Sequence, residues 1–136
     1  MNLSSITTEL GEDREKYFNA VSPPIWQTSN FAFDSVEKFS HAFEDERNEY
    51  IYSRGINPTT DILRKNLAAL EGSEDCLLFN CGAAAIFAGI FANLKAGDHL
   101  VPVKNPYSSA KKMFDAVLPR FNVSVTYVEG KTVEDW

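Results

Sequence analysis

The chain has 136 residues, enough for one ordinary domain, and its 44% hydrophobic and 24% charged content is that of a folded globular protein rather than a disordered one. Its 19 acidic side chains against 13 basic ones give a net charge of −6, which argues against a nucleic-acid partner. Any phosphate bound here must be held by local geometry, because the overall field repels it. Two cysteines, Cys76 and Cys81, and two histidines, His41 and His99, are too few and too scattered for a metal site. Both cysteines sit in apolar sequence, which predicts packed free thiols and a reducing, cytoplasmic setting. The opening stretch MNLSSITTELGEDREKY has no basic region followed by an apolar core, so no signal peptide is expected. The most apolar run, Ala83 to Leu94, is too short for a bilayer and is broken by Gly89 and Asn93, so no membrane association is expected.

Residues 1–57 show little regular pattern. Pro23 and Pro24 force an extended stretch, and Ile25 to Phe33 carries apolar residues without clean alternation. One short helix is expected from Ser35 to about Asp45, with Asp34 and Glu37 at capping-box spacing and Val36, Phe39 and Phe43 at helical intervals. An arm so rich in aromatics needs a surface to lie on, either its own domain or a second subunit.

From Thr59 the pattern becomes regular. Asn57-Pro58-Thr59-Thr60 predicts a helix start, Ile62, Leu63, Leu67 and Leu70 form its apolar stripe, and Gly72 ends it. Cys76 to Phe79 reads as a short buried strand. Gly82 opens a helix through Leu94 that Gly97 closes; His99 to Val103 is a second strand. Tyr107 to about Arg120 is a helix with Ala110, Met113, Phe114, Val117 and Leu118 on one face, and Val123 to Val128 a third strand. Such alternation predicts an α/β architecture with parallel strands and helical crossovers. The edges of a three-stranded sheet are not covered by anything in the sequence, so the chain is expected to be the front part of a longer one.

Three stretches carry candidate chemistry. Tyr52 and Arg54, two apart in the extended segment YIYSRGINPT, point to one side, and a phenol with a guanidinium fork suits an anion such as a phosphate. The competing reading is a surface loop with Arg54 paired to Glu46 or Glu49. In Asn80-Cys81-Gly82-Ala83 a strand is expected to turn into a helix of very small residues. Backbone N–H groups at such a start bind anions, and small side chains let a ligand approach. Close helix packing explains the same residues. Asn105-Pro106-Tyr107 places an aromatic ring at the end of the second strand, where it either stacks on a flat ligand or packs on its neighbours.

Taken together, PPIWQTSNF, YIYSRGINPT, LAALEG, CGAAAI, LKAGDHLV and NPY, in this order from about Pro23 to Val128, resemble the Cys/Met-metabolism pyridoxal-phosphate (PLP) enzymes, the group of cystathionine γ-synthase, cystathionine lyases and methionine γ-lyase. The resemblance implies a fold-type-I PLP-dependent transferase-like architecture. Residues 1–57 would form an arm packed on the neighbouring subunit, and residues 58–136 the first, incomplete part of the PLP-binding large domain. It implies a homotetramer built as a dimer of dimers, acting on an amino-acid substrate in transsulfuration chemistry. Tyr52 and Arg54 would reach the cofactor phosphate of the neighbouring subunit, the amides of Gly82 and Ala83 would hold it within their own, and Tyr107 would stack on the cofactor ring and assist proton transfers. Two stretches depart from the family pattern. Cys81-Gly82-Ala83 stands where Ser-Gly-Met is usual, which leaves the backbone donors in place. Tyr107-Ser108-Ser109-Ala110 stands where Tyr-Gly-Gly-Thr is frequent, which bears on which member of the family this is.

The family's Schiff-base lysine follows Ser or Thr, and none of the lysines at 16, 38, 65, 95, 104, 111, 112 and 131 does. That lysine, its acidic partner and the arginine for the substrate carboxylate are expected beyond Trp136, which makes the 136 residues alone inactive. Lys104, near Tyr107, is the nearest candidate in the chain, and solvation at a strand end is the simpler account of it. The reading from a different class is a non-catalytic phosphate-ligand-binding or dimerisation fragment.

Overall fold

The computed structural model describes residues 2–136 and divides between Leu78 and Phe79 into two units, each with its own packing. The N-terminal unit starts with α1, Leu3–Glu9, where the Asn2 side chain accepts a hydrogen bond from the Ser5 N–H at 2.8 Å. This helix lies in the stretch expected to lack regular structure. Its signal was an N-cap residue ahead of Leu3, Ile6 and Leu10, too short a pattern to stand out. The second helix, α2, spans Val36–Ala42 and tightens into a 3-10 turn over Phe43–Asp45. Its cap is Ser35, in extended backbone, whose hydroxyl accepts from the Lys38 N–H at 3.2 Å. The capping-box assignment to Asp34 and Glu37 is therefore corrected: Asp34 lies one residue too early and pairs instead with Lys38 Nζ at 2.6 Å.

Helix α3, Pro58–Glu71, has Asn57 as its cap, Pro58 in its first turn and Gly72 in the left-handed region at φ +65° as its stop. It packs against α1. Few apolar side chains in this unit are fully buried: Tyr17, Ala42 and Ala68. Polar contacts hold much of the rest, around Asp61 and Asn57, both of which are buried.

The C-terminal unit begins with α4, Gly82–Phe91, followed by β1, His99–Leu100, α5, Ser108–Ala116, a 3-10 turn over Leu118–Phe121, and β2, Ser124–Val125. The two strands pair in parallel, His99 with Ser124 and Leu100 with Val125, as the alternation predicts. Both are shorter than expected. The pairing resumes at a bridge between Val103 and Val128, and Pro102, having no N–H, has nothing to donate back across the ladder in between. Helix α4 stops at Phe91, before the expected Leu94. Gly97, at φ +99°, serves the turn into β1 rather than closing the helix. The core is the cluster Ala110, Met113, Phe114, Leu118 and Val123, with Ile86 and Ile90 of α4 and Leu100 of β1 packed onto it.

Two further expectations fail. Residues 76–79 form no strand among the described residues, and Leu77 and Phe79 are exposed. Apolar composition makes a strand only where a neighbour takes up its N–H and C=O groups, and none does here. The sheet accordingly has two strands, not three. The cysteines are free, but Cys81 is exposed rather than packed, because it precedes a helix at the surface.

Candidate functional site

Tyr52 and Arg54 leave their segment on the same side: the Arg54 guanidinium carbon stands 5.1 Å from the centre of the Tyr52 ring. Both side chains are exposed. Among the described residues Arg54 forms no salt bridge, so Glu46 and Glu49 do not occupy it. A guanidinium on an acidic chain is thus left with its donors available. Tyr52 also borders an open groove of about 580 Å³ that includes Trp26, Thr28, Ser53 and Asn57.

The segment carrying this pair is fastened from the opposite side. Residues 29–31 and 51–53 lie antiparallel around a bridge between Asn30 and Tyr52. Phe31 N–H donates to Ile51 O at 3.2 Å and Ser53 N–H to Ser29 O at 2.9 Å. The Ser53 hydroxyl donates to Thr28 O and accepts from Asn57 Nδ2 at 2.8 Å. Asn57 Nδ2 also donates to Trp26 O at 3.1 Å, while Asn57 Oδ1 accepts from the Thr59 N–H at 2.9 Å as the cap of α3. Sequence reading found Asn57 as a helix cap and missed Ser53. The only signal was a hydroxyl between two outward-pointing residues, four before an asparagine.

A second polar cluster stands nearby in the same unit. Asp61 accepts from Tyr50 OH at 3.0 Å, from Arg64 Nη2 at 2.8 Å and from Lys65 Nζ at 2.7 Å. Burial pushes the Asp61 carboxyl up, but the hydrogen bonds from Lys65, Arg64 and Tyr50 outweigh it and hold the group below the usual carboxylate range. Burial, reinforced by the bond to Asp61, pushes the Tyr50 phenol up to about 12. These groups are engaged with one another and fix the start of α3.

In the C-terminal unit, Cys81 is extended at φ −157° and offers α4 no side-chain cap. The N–H groups of Gly82 and Ala83 therefore begin the helix without an intrahelical or side-chain acceptor. Both residues are exposed. A Cβ built on Gly82 meets nothing within 4 Å among the described residues, so close packing inside this chain does not account for glycine there. The space above the helix start is open to an approaching group, and its donors suit an anion. Tyr107 is the residue at which α5 begins and is 62% exposed, with its ring available. Lys104 is engaged: its Nζ lies 2.7 Å from Glu129, and that hydrogen bond raises its pKa. A Schiff-base amine needs the opposite shift, toward the neutral form. Among the described residues no group of three or more His, Cys, Asp or Glu is placed to hold a metal. Among the described residues no helix is long and apolar enough to cross a membrane.

Each unit thus presents donors that suit an anion: two main-chain amides at an open helix start in one, a phenol beside a guanidinium in the other. Comparison with known proteins places the chain in a family. An L-methionine gamma-lyase of Treponema denticola is 37% identical over 135 residues, covering 99% of this chain and 33% of that protein. The crystal structure of cystathionine gamma-lyase from Lactobacillus plantarum, complexed with L-serine, matches 99% of the chain and 33% of its own at a TM-score of 0.82 and 27% identity. A Campylobacter jejuni protein assigned as an O-acetylhomoserine (thiol)-lyase, solved with a pyridoxyl-lysine phosphate group, matches the fold at a TM-score of 0.89 and 21% identity, again over 99% of this chain and 33% of that one. The architecture is thus part of the fold-type-I PLP-enzyme fold, and the chain spans about a third of the length of the curated relatives it matches. The family model for Cys/Met metabolism PLP-dependent enzymes matches residues 4–136, and the chain belongs to that family.

Proposed function

We propose that this chain is the cofactor-anchoring third of a PLP-dependent enzyme of sulfur amino-acid metabolism, one that catalyses elimination or replacement at Cβ or Cγ in the manner of cystathionine γ-synthase or the lyases. The observation that carries the proposal is Arg54, held against Tyr52 with no acidic partner among the described residues of an acidic chain. Gly82 and Ala83 would grip the cofactor phosphate through their N–H groups. Tyr52 and Arg54 would grip it from the neighbouring subunit of a dimer of dimers, with residues 1–57 as the arm that makes this reach. When bound, the cofactor supplies the electron sink for charge developing at the substrate Cα. Tyr107 would cover the ring and pass protons at its hydroxyl. The phosphate grip contributes orientation rather than bond chemistry. The acidic chain and its two free cysteines suit a cytoplasmic enzyme.

The test is borohydride reduction of the whole protein in the presence of PLP, followed by peptide mapping. The proposal expects the cofactor fixed on a lysine outside residues 1–136. The absence of any fixed cofactor, with phosphate binding retained, would favour a non-catalytic phosphate-binding module instead. That reading is kept because every lysine here lacks a preceding Ser or Thr and because Lys104 is paired with Glu129.

A further inference from the structure

We propose that Ser53 and Asn57 form a latch that positions the Tyr52–Arg54 pair for the phosphate, an inference that rests on the phosphate-anchor reading above. The pair is exposed, and holding two long side chains in one geometry costs ordering entropy that a pre-set backbone reduces. The backbone between them is pre-set by a relay on its far side: Asn57 Nδ2 to Ser53 Oγ at 2.8 Å, and Ser53 Oγ on to Thr28 O. Tyr52 to Gly55 is a tight turn, closed by Gly55 N–H donating to Tyr52 O at 2.9 Å, with Ser53 and Arg54 at its two central positions, so fastening Ser53 fixes the turn that sets the Arg54 guanidinium beside the Tyr52 ring. The start of α3 ties in through Thr59 Oγ1, which accepts from the Trp26 N–H at 2.9 Å.

Asn57 divides its work between two atoms. Its Oδ1 caps α3 through the Thr59 N–H, and its Nδ2 serves the relay and also donates to Trp26 O. A role in folding alone and a role in aiming the pair are therefore separable by chemistry. Ser53→Ala removes the middle of the relay and leaves the α3 cap intact. Ser53→Thr keeps the hydroxyl. Asn57→Asp keeps a good cap and removes the donor. Ser53 and Asn57 are positioning residues: their side chains are engaged with Thr28, Trp26, Thr59 and each other.

The experiment is equilibrium dialysis of PLP against the whole protein, in a cycle of Ser53→Ala with Arg54→Ala, with thermal melts run alongside. Ser53→Ala is expected to weaken cofactor binding roughly three- to tenfold, the scale of one lost hydrogen bond. Ser53→Thr should stay within about twofold of wild type, and Asn57→Asp should follow Ser53→Ala. In the Arg54→Ala background the same serine change should add less than about twofold, because there is no guanidinium left to aim. An equal loss in both backgrounds, or no loss in the wild-type background, would overturn the latch while leaving the anchor standing. Should Arg54→Ala itself leave PLP binding unchanged, the anchor reading fails, and the latch with it.

Discussion

The two units are held together by different physics, and the difference matches what each offers a ligand. In residues 79–136 a single apolar cluster, Ala110, Met113, Phe114, Leu118 and Val123, supports a parallel strand pair. Residues 2–78 bury few apolar side chains and rely on hydrogen-bonded knots at Asp61 and Asn57. The apolar unit presents main-chain donors at the start of α4, a helix whose Ile86 and Ile90 pack onto that cluster. The polar unit presents side-chain donors, which need a hydrogen-bonded support to be aimed. Each mode of packing is suited to the kind of donor it carries.

Substitutions sharpen this contrast in order of size. Leu118 is fully buried. Leu118→Ala should cost about 3 kcal/mol by transfer and cavity terms, read by chemical denaturation, with hydrogen-exchange protection lost in residues 79–136 and retained at α3. Asp61→Ala leaves Arg64 and Lys65 without their shared carboxylate. Because those two partners reach solvent, the loss should be nearer about 2 kcal/mol than the larger values for fully buried pairs, with protection lost at α3 and kept in the C-terminal unit. A loss spread evenly over both units in either variant would break the comparison.

The pH response should separate the units in the same way. The Asp61 carboxyl sits below its usual value in the fold, so the folded state binds fewer protons than the unfolded one there. Its stabilisation is full above the unfolded value of about 3.9 and is lost as pH falls below it. Tyr50, pushed up to about 12, has the opposite sense: its contribution is present below its ordinary range and is lost as pH rises toward that value. Melts of the wild type against Asp61→Ala should show the acid-side dependence shrink in the variant. Tyr50 should then titrate lower than in the wild type but still above the ordinary phenol, since burial is the larger cause of its shift. The smallest effect is expected from Lys104→Ala, which breaks an exposed pair with Glu129. Its melting temperature should not move measurably, and cofactor fixation by borohydride should be unaffected.

What the sequence disclosed follows from range. Helix α3 was legible because both of its ends carry local signals, Asn57 before Pro58 and Gly72 after Glu71. The parallel pairing was legible from the alternation of apolar helix faces with short apolar runs. The segment at 76–79 was misread because a strand is defined by its neighbours, and composition does not supply them. Cys81 was misread for the same reason, since an apolar sequence context did not reveal that it stands exposed ahead of a surface helix. In the candidate site, the motif around Tyr52 and Arg54 was plain, but its support was not. The contacts of Ser53 with Thr28 and of Asn57 with Trp26 join residues far apart in sequence, and nothing periodic marks them. The Asp61 knot was hidden likewise, because an acid in a first helical turn already has a local explanation.

The most direct measurement is a crystal structure of the assembled whole protein with PLP bound. The account predicts the phosphate within about 2.7–3.2 Å of the Gly82 and Ala83 amide nitrogens of one subunit and of Tyr52 and Arg54 of its neighbour. A phosphate held elsewhere, or Tyr52 and Arg54 turned to solvent beside an occupied site, would contradict it.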